Sequence, residues 1–305
     1  MEFIKPDINF DFMGKMKVGF IISAVLIVIS IASVVMHGGV NLGIDFTGGS
    51  LVQVKFTGET RNAKMIKEAL APMAFKSINV QLYGAIEDNE FLIRVARSEK
   101  GEVGLGEQMK EAFEKSFGAA SAEITRSEMV GPKVGKDLSK KGRNAILAAI
   151  LCIFFYIAFR FELKFSGGAV LALIHDVTIT IGAMSLLNKE FDLTIIAALL
   201  TVVGYSINDT VVVYDRIREN LRKSRKKSFA EIINKSINET LSRTFLTSLT
   251  TFIVLLCVFL FGGGVIHNFA FAMIVGLLIG TYSSIFIASP AVILWHNKEA
   301  LPSVK

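Results

Sequence analysis

An acidic residue, Asp209, lies near the end of an apolar stretch, residues 193–214, that is long enough to cross a bilayer as a helix. Asn208 precedes it, and Tyr205 and Ser206 share its helix face at spacings of four and three residues. A carboxylate at membrane depth costs roughly 2.5–3.5 kcal/mol on insertion scales. Because ionisable groups inside membranes often mark ion or proton paths, the pattern favours proton-transfer chemistry.

The natural partner of this carboxylate is Arg243, which directly precedes the apolar stretch 244–262. Asp209 is about 10 Å from the basic end of its helix, and an arginine stem can reach inward from that interface. Burial favours the protonated acid, whereas a close guanidinium favours the carboxylate. A helix motion would therefore load and release a proton, but a structural ion pair is the alternative. Hydroxyl residues share the face of Arg243: Thr247, Thr250 and Thr251.

Two further polar residues, His175 and Asp176, interrupt the apolar stretch 166–187. Adjacent residues on a helix point about 100° apart, so the two side chains cannot both face one partner helix. They form either a second proton-relay element or hydrogen bonds to neighbouring helices, and the sequence leaves both open. In the stretch 269–295, a small-residue stripe predicts close helix packing: Gly276, Gly280 and Ser284.

The composition of the 305-residue chain indicates a membrane protein, with 52% apolar residues, 20% charged residues and a mean hydropathy of +0.52. The net charge of +6 lies beside apolar stretches, so it does not indicate nucleic-acid binding. Two cysteines inside apolar stretches form no disulfide framework or metal site. No Ser–His or Cys–His nucleophile pattern and no Walker A loop is evident, so we expect neither an enzyme nor a cofactor.

Six apolar stretches predict six transmembrane helices, at residues 18–36, 142–159, 166–187, 193–214, 244–262 and 269–295. The first two enclose residues 37–141, which have the composition of a soluble domain and its linker. The remaining parts are polar: an N-terminus at 1–17, a basic loop at 215–243 and a tail at 296–305. The chain is therefore expected to be an α-helical polytopic membrane protein with one α+β domain.

Within that domain, strand-like and helix-like patterns alternate in the order β-α-β-β-α-β. The predicted strands are 50–56, 77–84, 90–97 and 122–130, and the predicted helices are 61–73 and 106–118. This order is that of the ferredoxin-like split βαβ unit.

Lys and Arg residues are distributed unevenly between the two sides of the predicted membrane. They concentrate in the N-terminus, the 160–164 loop, the 215–243 loop and the tail, whereas the short opposite turns hold only Lys189. The positive-inside rule therefore predicts cytoplasmic N- and C-termini. Residues 38–140 are then extracytoplasmic.

A second acid, Asp215, follows Tyr214 at the edge of the membrane, and two intramembrane aspartates would also fit an aspartyl protease. Because Asp215 lies beside Arg216 and Arg218, an interfacial ion pair is the simpler interpretation. A structural scaffold is a further alternative, and it would tolerate Asp209→Asn.

Several motifs in register resemble the SecF family, within the SecD/SecF family and the RND superfamily. They are NLGIDFTGGS (41–50), LIHDV (173–177), VGYSINDTVVVYDRIREN (203–220), SRTFLTSLTT (242–251), FGG (261–263) and GTYSSIFIASP (280–290). The resemblance covers the whole chain, including the six spans and the domain between the first two. GIDFTGG alone would also fit SecD.

The resemblance implies a non-enzymatic accessory subunit of the bacterial Sec protein translocase, in the cytoplasmic (inner) membrane. Its implied role is to use the proton motive force, with SecD, in late translocation and release of secreted proteins. Implied partners are SecD as a separate polypeptide in a heterodimer, the SecYEG channel, unfolded secreted chains and membrane lipids. Asp209 and Arg243 match the positions that the family assigns to proton transport. The alternative is an RND-like proton-coupled exporter of lipids or small molecules, although such pumps have a larger extracytoplasmic region.

Overall fold

The computed structural model describes residues 9–75, 78–84, 86–95, 104–161, 163–223, 228–262 and 264–299. These residues form two compact units, a helical unit (up to 41, 143–262 and from 266) and an α/β unit (42–142 with 263–265). The elements in chain order are α1 (Met16–Met36), α2 (Ile44–Thr47), β1 (Gly49–Phe56), α3 (Ala63–Ala69), β2 (Ile78–Tyr83), β3 (Glu90–Val95), α4 (Leu105–Phe117), β4 (Ala122–Val130), α5 (Pro132–Arg160), α6 (Leu163–Leu186), α7 (Leu193–Lys223), α8 (Phe229–Phe261), α9 (Gly264–Ser283) and α10 (Ser289–Glu299).

The α/β unit is built on a four-stranded sheet with the strand order β2-β3-β1-β4. Every neighbouring pair is antiparallel, so β1 and β2 run in the same direction with β3 inserted between them. This is the split βαβ arrangement, with α3 packed on β2 and α4 on β4. The predicted ferredoxin-like fold is therefore confirmed.

The core of this unit lies between the sheet and its two helices. Phe56 and Phe113 meet edge to face with ring centroids 5.0 Å apart. The predicted helix 61–73 is shorter in the structure, because α3 ends at Ala69 and a 3₁₀ turn containing Pro72 follows. The core is formed by apolar side chains that are inaccessible to solvent: Val52, Val54, Ile66, Ile93, Met109 and Phe113.

Within the described residues, six helices are long and apolar enough to cross a membrane, which confirms the predicted number. These helices are Met16–Met36, Lys133–Arg160, Phe165–Leu186, Leu193–Lys223, Phe229–Phe261 and Ile266–Leu294. Many apolar side chains on α1, α5 and α8 are exposed, as expected for helix faces that contact lipid or partner helices.

Within the predicted basic loop at 215–243, residues 215–223 continue α7 and residues 229–243 belong to α8, whereas residues 224–227 lie outside the described part of the chain. The predicted span 244–262 and the residues before it belong to one helix, α8, whose N-terminus Ser228 caps. Polar contacts hold the extensions of α7 and α8 together, since Asn220 donates to Ser236 at 2.9 Å and Arg216 to Glu239 at 2.7 Å. Side-chain pairing thus stabilises two helical extensions that apolar periodicity does not reveal.

The last membrane helix contains a π-helical turn, Ser284–Ala288, between α9 and α10. Pro290 has no N–H group to donate to the carbonyl four residues earlier, which weakens the α-helical hydrogen-bond ladder there. The Ser289 hydroxyl donates instead to the Ser284 carbonyl at 2.8 Å. The Ala288 carbonyl at the end of this turn accepts a hydrogen bond from the Tyr214 hydroxyl of α7 at 3.1 Å.

Candidate functional site

Small residues bring the helices around the candidate site into close contact. A Cβ atom on Gly276 would lie 2.2 Å from Val202 of α7, and one on Gly280 would lie 3.1 Å from Ser206. On the other side of the bundle, a Cβ atom on Gly182 of α6 would lie 2.1 Å from Ser30 of α1. Backbones this close place short hydroxyl side chains within hydrogen-bonding distance across the bundle.

Asp176 of α6 is the centre of a buried polar network. Its side chain is inaccessible to solvent, and its Oδ2 accepts hydrogen bonds from Ser206 of α7 at 2.6 Å and Ser283 of α9 at 2.8 Å. Its Oδ1 lies 2.8 Å from Nδ1 of His175. One carboxyl group thereby connects three membrane helices.

His175 extends the network towards α1. Its Nε2 lies 3.1 Å from the Ser23 hydroxyl, which donates to the Tyr282 hydroxyl at 3.1 Å. Tyr282 in turn donates to the backbone carbonyl of Gly19 at 2.6 Å. The two adjacent residues thus face different helices, as their 100° separation predicts, and they also contact each other.

Asp209 lies one helical turn after Ser206, on the same face of α7. Only 3% of it is exposed, and its Oδ2 has no hydrogen-bond partner among the described residues. The adjacent Asn208 is exposed, but its side chain still interacts with the carboxyl group of Asp209. A buried carboxyl oxygen without a donor is unusual in a folded protein and marks Asp209 as a candidate proton-binding group.

Arg243 is close enough for its charge to act on Asp209, but its side chain is exposed. Within the described part of the chain, no ion pair of 4.0 Å or less joins the two. The structure therefore places the predicted partners near each other without direct contact.

The hydroxyl groups predicted beside Arg243 bond mainly within their own helix. Thr247 donates to the Arg243 carbonyl at 3.0 Å and Thr250 to the Leu246 carbonyl at 3.0 Å. Thr251 is only partly buried, and its side chain has no hydrogen bond to another described residue. The residue of α8 that reaches towards the site is Ser248, which lies beside Asp209 and bonds Thr281 of α9 at 2.8 Å.

Two members of the network, Ser23 and Tyr282, are absent from the sequence-based prediction. The buried residues of α1 are Gly19 and three serines, Ser23, Ser30 and Ser33. Hydroxyl residues seven and ten positions apart in an otherwise apolar helix indicate one contact face, which could have identified Ser23. Tyr282 has no comparable local signal. In the described residues, no group of three His, Cys, Asp or Glu side chains could hold a metal ion.

The comparisons with known proteins agree with this architecture. Residues 108–298 match the family model "Protein export membrane protein SecD/SecF, C-terminal", and residues 35–59 match the SecD/SecF GG motif. The first match covers more than half of the chain. The chain belongs to the SecD/SecF family.

Within this family, the chain is similar to SecF subunits. It is 47% identical over 289 residues to protein translocase subunit SecF of Magnetococcus marinus, covering 94% of this chain and 92% of the relative. It is 42% identical over 282 residues to SecF of Escherichia coli O157:H7, covering 92% and 86%. The resemblance noted from the motifs is thus confirmed.

A solved structure has the same fold. The crystal structure of SecDF from Thermus thermophilus, described as a translocon-associated membrane protein, superposes with a TM-score of 0.85 at 36% identity. The match covers 96% of this chain but only 40% of the SecDF chain. The family and the six apolar helices together identify a multi-pass membrane protein.

Proposed function

We propose that this chain is an accessory subunit of the Sec protein translocase that uses the proton motive force and acts with SecD. Its role is to promote late translocation and release of secreted proteins. The observation that supports the use of the proton motive force is the burial of Asp209 in the helix bundle. One oxygen of its carboxyl group has no hydrogen-bond partner among the described residues. The test is gradient-dependent export by an Asp209→Asn variant.

In this proposal Asp209 binds the proton and Arg243 is its switchable partner. The two charged groups are near each other but not in contact, so a shift of α8 against α7 would change their separation. Approach of the guanidinium favours the carboxylate, and withdrawal favours the protonated acid. Moving one charge across the membrane field is worth roughly 2.3 kcal/mol per 100 mV, which is sufficient to bias a conformational equilibrium of a few kcal/mol.

The solved SecDF chain, of which this chain matches a part, supports SecD as a partner, and the other proposed partners follow from the family resemblance. The proposed partners are thus SecD, the SecYEG channel and unfolded secreted chains, the last contacting the ferredoxin-like unit. Rigid helices would pass a motion near Asp209 to that unit. No nucleic acid or cofactor takes part in this proposal.

One face of α7 is suited to a partner helix of SecD. Four small or polar residues at spacings of four, three and four are exposed along it: Ala197, Thr201, Gly204 and Asn208. A Cβ atom on Gly204 would have no described heavy atom within 4 Å. Small residues allow close approach of a second helix in a membrane, so we place the SecD contact on this face.

Gly204→Leu is expected to weaken the association with SecD by about tenfold or more, which is a loss of roughly 1.4 kcal/mol. The new side chain would meet open space in this chain but would block a closely packed partner helix. Co-purification with tagged SecD from mild detergent measures the effect. The control is Ala148→Leu, the same kind of enlargement at an exposed position on α5. Equal SecD recovery for both variants would contradict this placement.

The proposed orientation places both termini and residues 215–243 in the cytoplasm and residues 38–140 outside the membrane. In intact cells, Lys110→Cys is expected to react with a membrane-impermeant maleimide, and Lys235→Cys to react only after lysis. Both positions are exposed, so a lack of reaction reports sidedness. The background should carry Cys152→Ala and Cys257→Ala, since both native cysteines are exposed. Labelling of Lys235→Cys in intact cells would refute the orientation.

A further inference from the structure

The hydrogen bonds around His175 determine which of its ring nitrogens carries a hydrogen. The Gly19 carbonyl can only accept, so the Tyr282 hydroxyl must donate its hydrogen to it. Tyr282 must then accept from Ser23, which uses the hydrogen of Ser23. The Ser23 oxygen can serve the imidazole only as an acceptor, and Nε2 of His175 must therefore be the N–H donor.

The opposite nitrogen, Nδ1, faces the carboxyl group of Asp176. Oδ2 of Asp176 accepts from Ser206 and Ser283, and Oδ1 lies 2.8 Å from Nδ1. Without a hydrogen between them, two lone pairs would meet at this short distance. One proton therefore lies between Nδ1 and Oδ1, on either atom, and the pair carries no net charge in both cases.

Among the described residues, no charged or chargeable group other than His175 forms an ion pair of 4.0 Å or less with Asp176. The helix α1 has no ionisable residue between Lys17 and His37, and residues 284–294 have none. From α7 the ionisable groups near this level are Tyr205 and Asp209, and from α9 only Tyr282. A lone carboxylate inaccessible to solvent would carry a large desolvation cost, which a shared proton removes.

We propose that His175 and Asp176 form a second proton-binding site, which holds one shared proton and latches α7 to α1, α6 and α9. While the proton is present, Asp176 holds the hydroxyls of Ser206 and Ser283, and His175 holds that of Ser23. Loss of the proton sets Nδ1 against Oδ1 and opens the latch. Because Ser206 lies one turn from Asp209, opening frees the helix that carries the proposed proton carrier. The proton count follows from the hydrogen bonds alone, whereas the latch role rests on the proposed function.

The Asp176→Asn variant reproduces the proton-loaded pair. Its amide nitrogen can donate to Nδ1 of His175, and its oxygen can accept from Ser206 and Ser283, so every hydrogen bond is kept. We therefore expect its thermal unfolding midpoint in detergent to lie near that of the wild type. Asp176→Leu leaves these groups without partners, and its midpoint should fall by an amount on the order of 5 °C. If Asp176→Asn falls as far as Asp176→Leu, these hydrogen bonds alone do not hold the helices together, and the proposed latch is wrong.

Nitrogen NMR of the full chain labelled with ¹⁵N-histidine tests the same assignment directly. The chain has four histidines, so the His175 signals are those lost in His175→Gln. We expect a protonated Nε2 at every pH at which the protein is folded, and a Nδ1 signal that changes in Asp176→Asn. A His175 with hydrogen on Nδ1 alone, and none on Nε2, would overturn the proposal.

The latch role is tested by gradient-dependent export. Asp176→Asn cannot release the shared proton, so it should lose most of the stimulation by the gradient while ATP-driven export continues. Full stimulation would show that the latch stays closed during the cycle and would overturn this role. The matched control is Thr178→Val on the same helix, since that hydroxyl donates to the Ile174 carbonyl of its own helix and does not belong to the network of His175 and Asp176. Asp209→Asn should keep the His175 spectrum and the unfolding midpoint, so failure of the proposed function can be distinguished from failure of the proton pair.

Discussion

Asp209→Asn is expected to abolish the stimulation of export by a proton gradient while leaving membrane insertion, folding and SecD binding intact. The amide has the shape of the acid and part of its hydrogen-bonding capacity, but it cannot bind and release a proton. Because one charge moving through a 100 mV field is worth roughly 2.3 kcal/mol, we expect the gradient-dependent rate to fall by at least about tenfold.

The measurement is export into proteoliposomes or inverted vesicles after ATP is withdrawn, with and without a gradient. The control is Asp215→Asn, the same chemical change on the same helix. Asp215 is about half exposed and lies 3.6 Å from Arg160, so it should retain full stimulation. If Asp209→Asn retains full stimulation, Asp209 is not the proton carrier. If Asp209→Asn and Asp215→Asn both lose an activity, the result supports the alternative in which the two aspartates belong to an aspartyl protease.

Gly168→Leu is expected to destabilise the helical unit by about 2–4 kcal/mol. A Cβ atom on Gly168 would lie 2.7 Å from the Tyr214 hydroxyl oxygen and 2.8 Å from the Ala288 carbonyl oxygen. Tyr214 is inaccessible to solvent, and it donates to that same carbonyl at 3.1 Å. The larger side chain must therefore separate α6 from the π-helical turn and leave the tyrosine hydroxyl without its partner.

Unfolding in detergent by titration with a denaturing surfactant measures this loss for the chain without SecD. Gly204→Leu provides the matched control, because that glycine lies on the open face of α7 and should leave the stability unchanged. Gly168→Leu should therefore lose stability, whereas Gly204→Leu should lose SecD binding. A Gly168→Leu variant as stable as the control would show that α6 and the π-helical turn are not in close contact.

The fold follows closely from local patterns in the chain. Strand alternation and helical periodicity are imposed by one-sided burial, so the order of elements in the α/β unit predicts its split βαβ topology. Membrane helices are equally visible, since the bilayer requires about 20 apolar residues per span. Local patterns do not show where polar helical extensions end, and residues 215–223 and 229–243 are therefore helical where a loop is predicted. Their helicity depends on pairs such as Arg216 with Glu239, which come from two different helices.

The ionisable residues of the candidate site are also evident in the sequence, because a charge inside an apolar stretch is costly wherever its helix packs. This cost distinguishes Asp209, His175 and Asp176, whereas Arg243 is predicted from its position directly before the stretch 244–262. What each of them contacts depends on packing between helices that are distant along the chain. Ser23 and Tyr282, which meet at 3.1 Å, are 259 positions apart. Tertiary structure alone brings these hydroxyls to His175, leaves an oxygen of Asp209 without a donor and keeps Arg243 at the surface, since each depends on how closely neighbouring helices approach.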